Sequence, residues 1–326
     1  MAARQHPQRA RRLTHLLKAL GLLARYGRFV LVAGLVAGLA LPHVAQVLRP
    51  WLSELVLFLL FLTAFRVGLP KALAGLSHMG TTATVVLGYQ LALPALCIMV
   101  FAAFGMAQSP AALALTLMLS APSLTGSPNM AVMLGHAPEP AFRLLILGTL
   151  VLPVTIVPIF WLSPALGDLG DAVAAALRLG AAISVVIAAA FFLRARLRPQ
   201  MQAEETGALD GITTLALAVI VIGLMSAVAP ALSTDPWTLA GWMGLVFVAN
   251  LGLQAVCYAI LRRSPAKQDA APMALVAGNR NVALFLLASP AAQTDAFLVF
   301  LGCYQFPMYL TPILMRRLYQ TTRPST

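Results

Sequence analysis

The chain has 326 residues, 60% of them hydrophobic and only 10% charged, and its mean hydropathy is +0.87. Soluble domains carry about 25% charged residues, so the composition argues against a soluble globular fold and for a polytopic membrane protein. The formal net charge of +12 does not point to nucleic acid, because the basic residues fall between apolar runs, where they orient spans in a bilayer.

Residues 1–28 make a basic segment carrying Arg4, Arg9, Arg11, Arg12, Lys18, Arg25 and Arg28. Residues 14–26 fit a short amphipathic helix on the inner membrane surface. A signal peptide is a weaker reading, because the next apolar run is long and nine more follow. A spanning helix needs about 20 apolar residues. Runs of that kind lie near 29–48, 52–68, 80–104, 111–135, 141–162, 172–193, 209–231, 237–261, 272–290 and 294–315. With the N-terminus inside, the inner connections hold Arg66 and Lys71, then Arg143, then Arg194, Arg196 and Arg198, then Arg262, Arg263 and Lys267, then Arg316, Arg317 and Arg323. The outer connections hold Asp168, Asp171, Asp235 and Asp295, with Arg49 the exception. This asymmetry supports ten spans with both termini cytoplasmic, and the bacterial inner membrane is the expected location. The carboxylates fall at or near segment ends. Cys97, Cys257 and Cys303 lie in apolar segments without metal-like spacing, and are expected as buried thiols outside any disulfide framework.

The expected fold is all-α, with two five-helix repeats at 29–162 and 163–315 followed by a tail at 316–326. An odd number of crossings per repeat inverts the second relative to the first, the logic of inverted-repeat transporters. The fourth span of each repeat is interrupted, by APSLTGSPN at 121–129 and by GNRN at 278–281. Interruptions at corresponding places are the best pointer in a sequence to a transporter's binding site.

Pro122 and Pro128 each remove a backbone donor and clash with the preceding turn. Ser123, Thr125, Gly126 and Ser127 between them favour turn over helix, and Asn129 follows. A ladder opened in this way frees carbonyls and amides and exposes the partial charges of half-helix ends. Two such helices crossing can hold an ion, a small polar group, or both. Asn279, Arg280 and Asn281 form the polar part of the second break. Arg280 lies about 12 Å into a core about 30 Å thick, where an arginine must face protein or water. It either serves a structural role on freed carbonyls, or meets a transported anion, or replaces a bound cation. Gln90, Asn250, Gln254 and Gln305 are further intramembrane polar residues, which line a cavity or hydrogen-bond between helices. Glu139 and Arg143 are spaced for an i,i+4 surface pair. Arg178 is placed to reach Asp171 or the outer interface. His43 and His78 are expected at the interface, and His136 is the histidine to consider for proton coupling.

The pattern resembles the bile acid:sodium symporter family across nearly the whole chain. LVAGLVAGLALPHVAQVLRPWL is similar to that family's first span and turn, and LGYQLALPAL to its third, which carries a Gln shortly before a Pro. SAPSLTGSPNMAVMLG resembles the broken fourth span, with its Pro-Gly-Gly-x-x-Ser-Asn signature. AGNRNVALFLLA resembles the broken ninth, Glu-x-x-x-Gln-Asn. The resemblance implies ten helices: a core built round two crossed, broken helices, and a panel that moves against it. The departures are chemical. Ser123 and Leu124 stand where the two glycines are expected, and Pro128 where the Asn is, with Asn129 one place later. Arg280 stands in place of the Gln and Val276 in place of the Glu on which the family's sodium sites depend. A guanidinium repels sodium by about 4 kcal/mol for unit charges 4 Å apart at an effective dielectric of 20. Arg280 is therefore expected to take the place of at least one sodium.

These readings lead to a secondary transporter of a small organic anion, working by alternating access with sodium coupling weak or lost. Ser123, Thr125, Ser127, Asn129, Asn279, Arg280, Asn281 and Gln90 are the expected substrate or ion site, and Asn250, Gln254, His136 and Gln305 are secondary candidates. No resident cofactor or metal is expected beyond coupling to Na+ or H+, and the partners are the anion and the lipid bilayer. Three alternatives stay open: a sodium-coupled symporter with a rebuilt site, an auxin-efflux-type carrier, and a non-transporting receptor on the same fold. An arsenite carrier is disfavoured because neither broken span has a cysteine. An enzyme is not expected, because no catalytic constellation appears in a suitable context.

Overall fold

The computed structural model describes residues 17–74, 79–164, 169–288 and 294–320. The basic residues before 17, together with His78, Asp168 and Arg323, lie outside the described residues. All regular structure among those described is helical, apart from one isolated antiparallel bridge.

In chain order the first helices are α1 (Leu17–Arg25), α2 (Gly27–Ala40), α3 (Pro42–Leu48), α4 (Leu52–Val67), α5 (Leu69–Ala74), α6 (Met79–Leu87) and α7 (Leu93–Ala103). Next come α8 (Pro110–Ser120), α9 (Ser127–Met133), α10 (Glu139–Leu162), α11 (Leu169–Leu197) and α12 (Ala203–Thr234). The chain continues with α13 (Pro236–Leu261), α14 (Ala270–Gly278), a 3₁₀ stretch at Val282–Leu287, α15 (Asp295–Leu314) and α16 (Arg316–Gln320). Seven helical stretches are long and apolar enough to cross a membrane. The α1–α2 pair, bent by 80°, brings the number to eight. This is the helix content of an all-α polytopic membrane protein.

Two connections differ from the sequence expectation. The spans expected at 29–48 and 52–68 put the first connection at 49–51, but the chain leaves helical geometry at Leu41 and then runs helically over Pro42–Val67. Pro42 sits at a helix start and Pro50 in a 3₁₀ turn, positions where the missing N–H is tolerated. The polar joint expected over 194–208 shrinks to 198–202, because α11 and α12 extend into it. Asp210, expected near a span end, therefore lies two turns inside α12, where it pairs with Arg66. Asp235 caps α13 by accepting from the Thr238 N–H at 3.1 Å. Its hydrogen bonds with Thr238 hold the exposed carboxyl below the ordinary carboxylate range.

The chain divides into two compact units. The first comprises Met1–Leu69 and Ile183–Ala229. Glycines allow close packing on α12 there: a Cβ at Gly38 would lie 2.7 Å from the Met225 side chain, and one at Gly223 would lie 2.8 Å from Leu52. Gln46 Nε2 donates to the Ser226 carbonyl at 2.9 Å, and Arg66 grips both carboxylate oxygens of Asp210.

The second unit comprises Pro70–Ala182 and Pro230–Thr326, and it holds both interrupted segments. In it α14 packs on α13, α9 and α10, and α15 packs on α13 and α8. The first unit holds the expected spans at 29–48 and 52–68 and all but the end of that at 209–231, the second holds those at 80–104, 111–135, 141–162, 237–261, 272–290 and 294–315, and the span at 172–193 is divided between them at Ala182–Ile183.

Candidate functional site

Both interruptions follow from local chemistry. Ala121 precedes Pro122 and is pushed out of helical geometry to φ −65°, ψ 149°, so α8 stops at Ser120. The chain becomes helical again at Ser127-Pro128, with proline in the first turn of α9. Gly135, at φ +83°, closes α9 as a left-handed cap, and the His136 N–H returns to the Ala131 carbonyl at 2.9 Å. In the second segment α14 ends at Gly278, and Asn279 is extended at φ −106°, ψ 92°.

The two breaks meet and pair. Ser123 and Arg280 form the isolated antiparallel bridge. The Leu124 N–H donates to the Asn279 carbonyl at 3.0 Å, and the Asn281 N–H donates to the Pro122 carbonyl at 2.9 Å. Backbone groups released by one break are thus satisfied by the other, as unwound chain at membrane depth requires.

Arg280 is at the centre, 2% exposed. Its Nε donates to the Ala277 carbonyl at 2.9 Å, in the last turn of α14. Its Nη1 donates to the Ala121 carbonyl at 3.0 Å, at the C-terminal cap of α8. The guanidinium carbon lies 4.5 Å from the centre of the Tyr89 ring, a cation–π contact worth about 2 kcal/mol when desolvated. One side chain therefore spans the carbonyl ends of both half-helices, where the helix dipoles favour a cation. Nη2 is buried and has no hydrogen-bond partner among the described residues. No ion pair among the described residues reaches Arg280.

A closed polar network surrounds this core. Tyr304 accepts from the Arg280 backbone N–H at 2.9 Å and donates to the Gly278 carbonyl. Asn250 Nδ2 donates to the same carbonyl. Gln254 Nε2 donates to Asn250 Oδ1 at 2.7 Å and to Thr311 Oγ1 at 3.2 Å, and Tyr319 OH donates to Gln254 Oε1 at 3.0 Å. Asn279 Nδ2 turns back to the Leu275 carbonyl at 2.8 Å, and the Tyr89 hydroxyl donates to the Met273 carbonyl at 3.1 Å.

The expected site residues therefore divide by burial. Ser123, Ser127, Asn279 and Arg280 are buried, and Ser127 Oγ has no hydrogen-bond partner among the described residues. Thr125 and Asn281 are half-buried and Asn129 is exposed. Among the described residues no hydrogen bond engages the side chains of these three. Gln90 is buried beside the first break, its side chain and that of Pro122 both flanking Gly148. It donates to the Gly148 carbonyl at 3.0 Å and accepts from Thr155 at 3.2 Å. Asn250 and Gln254 belong to the buried network, and Gln305 donates to the Leu301 carbonyl of its own helix at 3.0 Å. His136 Nε2 lies 3.1 Å from the Tyr319 carbonyl oxygen.

One pairing differs from expectation. Arg143 reaches Asp269 at 3.0 Å rather than the exposed Glu139, because α14 begins beside α10. Arg178 donates through Nε and Nη2 to the Ala288 carbonyl at 3.3 and 3.0 Å, capping the 3₁₀ stretch that follows the second break.

Tyr89, Tyr304, Thr311 and Tyr319 are site residues that the sequence reading missed. Only Tyr89 had a local signal. Pro94 cannot donate to the carbonyl four residues back, and the helix widens into a π-turn over Gly88–Ala92 that buries the neighbouring Tyr89 and Gln90 together. The three cysteines are free, with Cys257 and Cys303 buried and Cys97 half-buried. Among the described residues no cluster of three His, Cys, Asp or Glu side chains is placed to hold a metal.

In comparisons with known proteins, no family model matches the sequence and no curated protein matches it significantly.

Proposed function

We propose that the chain is a secondary transporter of a small organic anion, working by alternating access without sodium, on an architecture like that of the bile acid:sodium symporters. Counting the bent α1–α2 pair as one crossing, and each broken segment as one, brings the seven long helices to ten. Read as two inverted five-span repeats, ten crossings carry both termini on one side, and the basic connections favour the cytoplasmic side of a bacterial inner membrane. The two compact units are the candidates for the panel and the core, and the crossing lies wholly within one of them.

One observation carries the reading: the Arg280 guanidinium holds carbonyl oxygens at the ends of both half-helices. Those oxygens are what a coupling cation would use, and a permanent cation already occupies them. The unpartnered Nη2 adds a preference for an anion, since an unmade buried hydrogen bond costs about 1–3 kcal/mol. Thr125, Asn129 and Asn281 are the polar side chains this reading offers to the substrate, with Arg280 supplying the positive charge. No catalytic chemistry is assigned to this arrangement.

The test is solute flux in proteoliposomes, with benzoate, pyruvate and taurocholate as probes in NaCl and in choline chloride. At least one probe should cross at equal rates in the two salts. A rate that requires sodium would move the assignment to a symporter with a rebuilt sodium site. Failure of every probe would favour a non-transporting receptor.

A further inference from the structure

Arg280 introduces a charge that cannot leave. A guanidinium stays protonated in proteins, and its neighbours here are neutral: the Ala277 and Ala121 carbonyls and the Tyr89 ring. Its backbone is held by Tyr304, and no ion pair among the described residues reaches its side chain. In a sodium-coupled carrier the positive charge arrives with the substrate and departs with it, so the empty form is free of it. Here the positive charge stays behind when the anion goes.

Resting on the transporter reading above, we infer that the empty form of this carrier bears one fixed positive charge at the crossing, that the form loaded with a monovalent anion is neutral there, and that the membrane potential acts on the empty form. A single unpartnered guanidinium nitrogen matches a single anionic group. When the crossing opens inward it takes the potential of the inside, and when it opens outward that of the outside. An inside-negative potential then turns the empty site inward, by up to about fifty-fold per 100 mV for one charge sensing the whole field. The site loads from the cytoplasm, crosses as a neutral complex and releases outside. Each cycle carries one negative charge outward, or none when anions exchange one for one. The direction is set by the protein's own arginine: the chain exports or exchanges a monovalent organic anion and does not accumulate it.

The empty carrier can be tested without knowing the substrate. The full chain is placed in giant proteoliposome patches under voltage clamp, in choline methanesulfonate. Voltage steps should evoke capacitive transients with the steepness of about one elementary charge per protein. Arg280→Lys should keep the transient and Arg280→Gln should lose it. A wild-type protein without transients, or a Gln variant with the same transients, would overturn the inference. Should the Gln variant fail to assemble, the wild-type result alone decides. Sodium separates the two claims. A saturable sodium-induced shift of the wild-type transient would sink the sodium-free reading and leave the fixed charge standing, whereas an unaltered transient in Arg280→Gln would sink the fixed charge alone.

Discussion

Gly278 and Arg280 make the crossing at the residue scale. Gly278 ends α14 where the backbone of α13 comes closest: a Cβ there would lie 2.1 Å from the Asn250 carbonyl oxygen and 2.8 Å from Gln254. The obstacle is backbone, which cannot rotate aside, so Gly278→Ala must displace α13 from α14. Overpacking of this kind costs typically about 1–3 kcal/mol, and the upper end is expected here. The check is reversible unfolding of the variant in mixed micelles, and a loss below about 1 kcal/mol would mean the two helices separate readily. The arginine itself was legible, because its depth in an apolar run and the absence of an acid at that depth mark it as buried and unusual. Its partners were not. Two are carbonyls, which every residue carries, and the third is a tyrosine that sequence distance separates from it. The hydrogen-bond partner of Gln90 was hidden for the same reason. An amide in a span does not declare whether it faces an opening or a neighbouring helix, and here the Gly148 carbonyl claims it.

At the scale of elements, the breaks were readable and their pairing was not. Proline at 122 and 128 and the GNRN tetrapeptide announce lost helix, since each removes donors or favours turns. Nothing local says that Ser123 will bridge to Arg280, because that depends on how the elements pack. The same holds for α16, which carries a fully buried tyrosine far from the break in sequence yet joined to it by hydrogen bonds. Tyr319 packs edge-on against Tyr258, with ring centres 5.3 Å apart, and its hydroxyl is the donor to Gln254. Tyr319→Phe keeps the ring and leaves Gln254 Oε1 without that donor, a loss of about 1–3 kcal/mol. Tyr319→Ala also empties the ring's place, for a loss of about 3–5 kcal/mol. Thermal unfolding of the two variants should rank them in that order. Equal and negligible effects would show that α16 does not hold the network.

At the scale of the whole molecule, the charge pattern and hydropathy anticipated the class of protein and the positions of most long helices. They did not anticipate how the chain is shared between compact units. The chain passes from one unit to the other between Leu69 and Pro70, between Ala182 and Ile183, and between Ala229 and Pro230. Proline stands at two of these passages, Pro70 and Pro230. The gathering of sequence-distant helices into each unit is a long-range property that no window of sequence carries. It matters for function because both breaks, Arg280 and its network fall within a single unit, so the fixed charge and its ligands stay together in any motion of that unit. The central claim is that this charge stands where a coupling cation would bind. Its most direct test is the thermal stability of the purified protein in NaCl against choline chloride at equal ionic strength. A specific ion held at a hundredfold excess over its Kd would stabilise the folded state by about 2.7 kcal/mol. We expect no sodium-specific shift at any concentration. A saturable rise in stability with sodium would contradict the account, because the ion would then have a site that Arg280 has not taken.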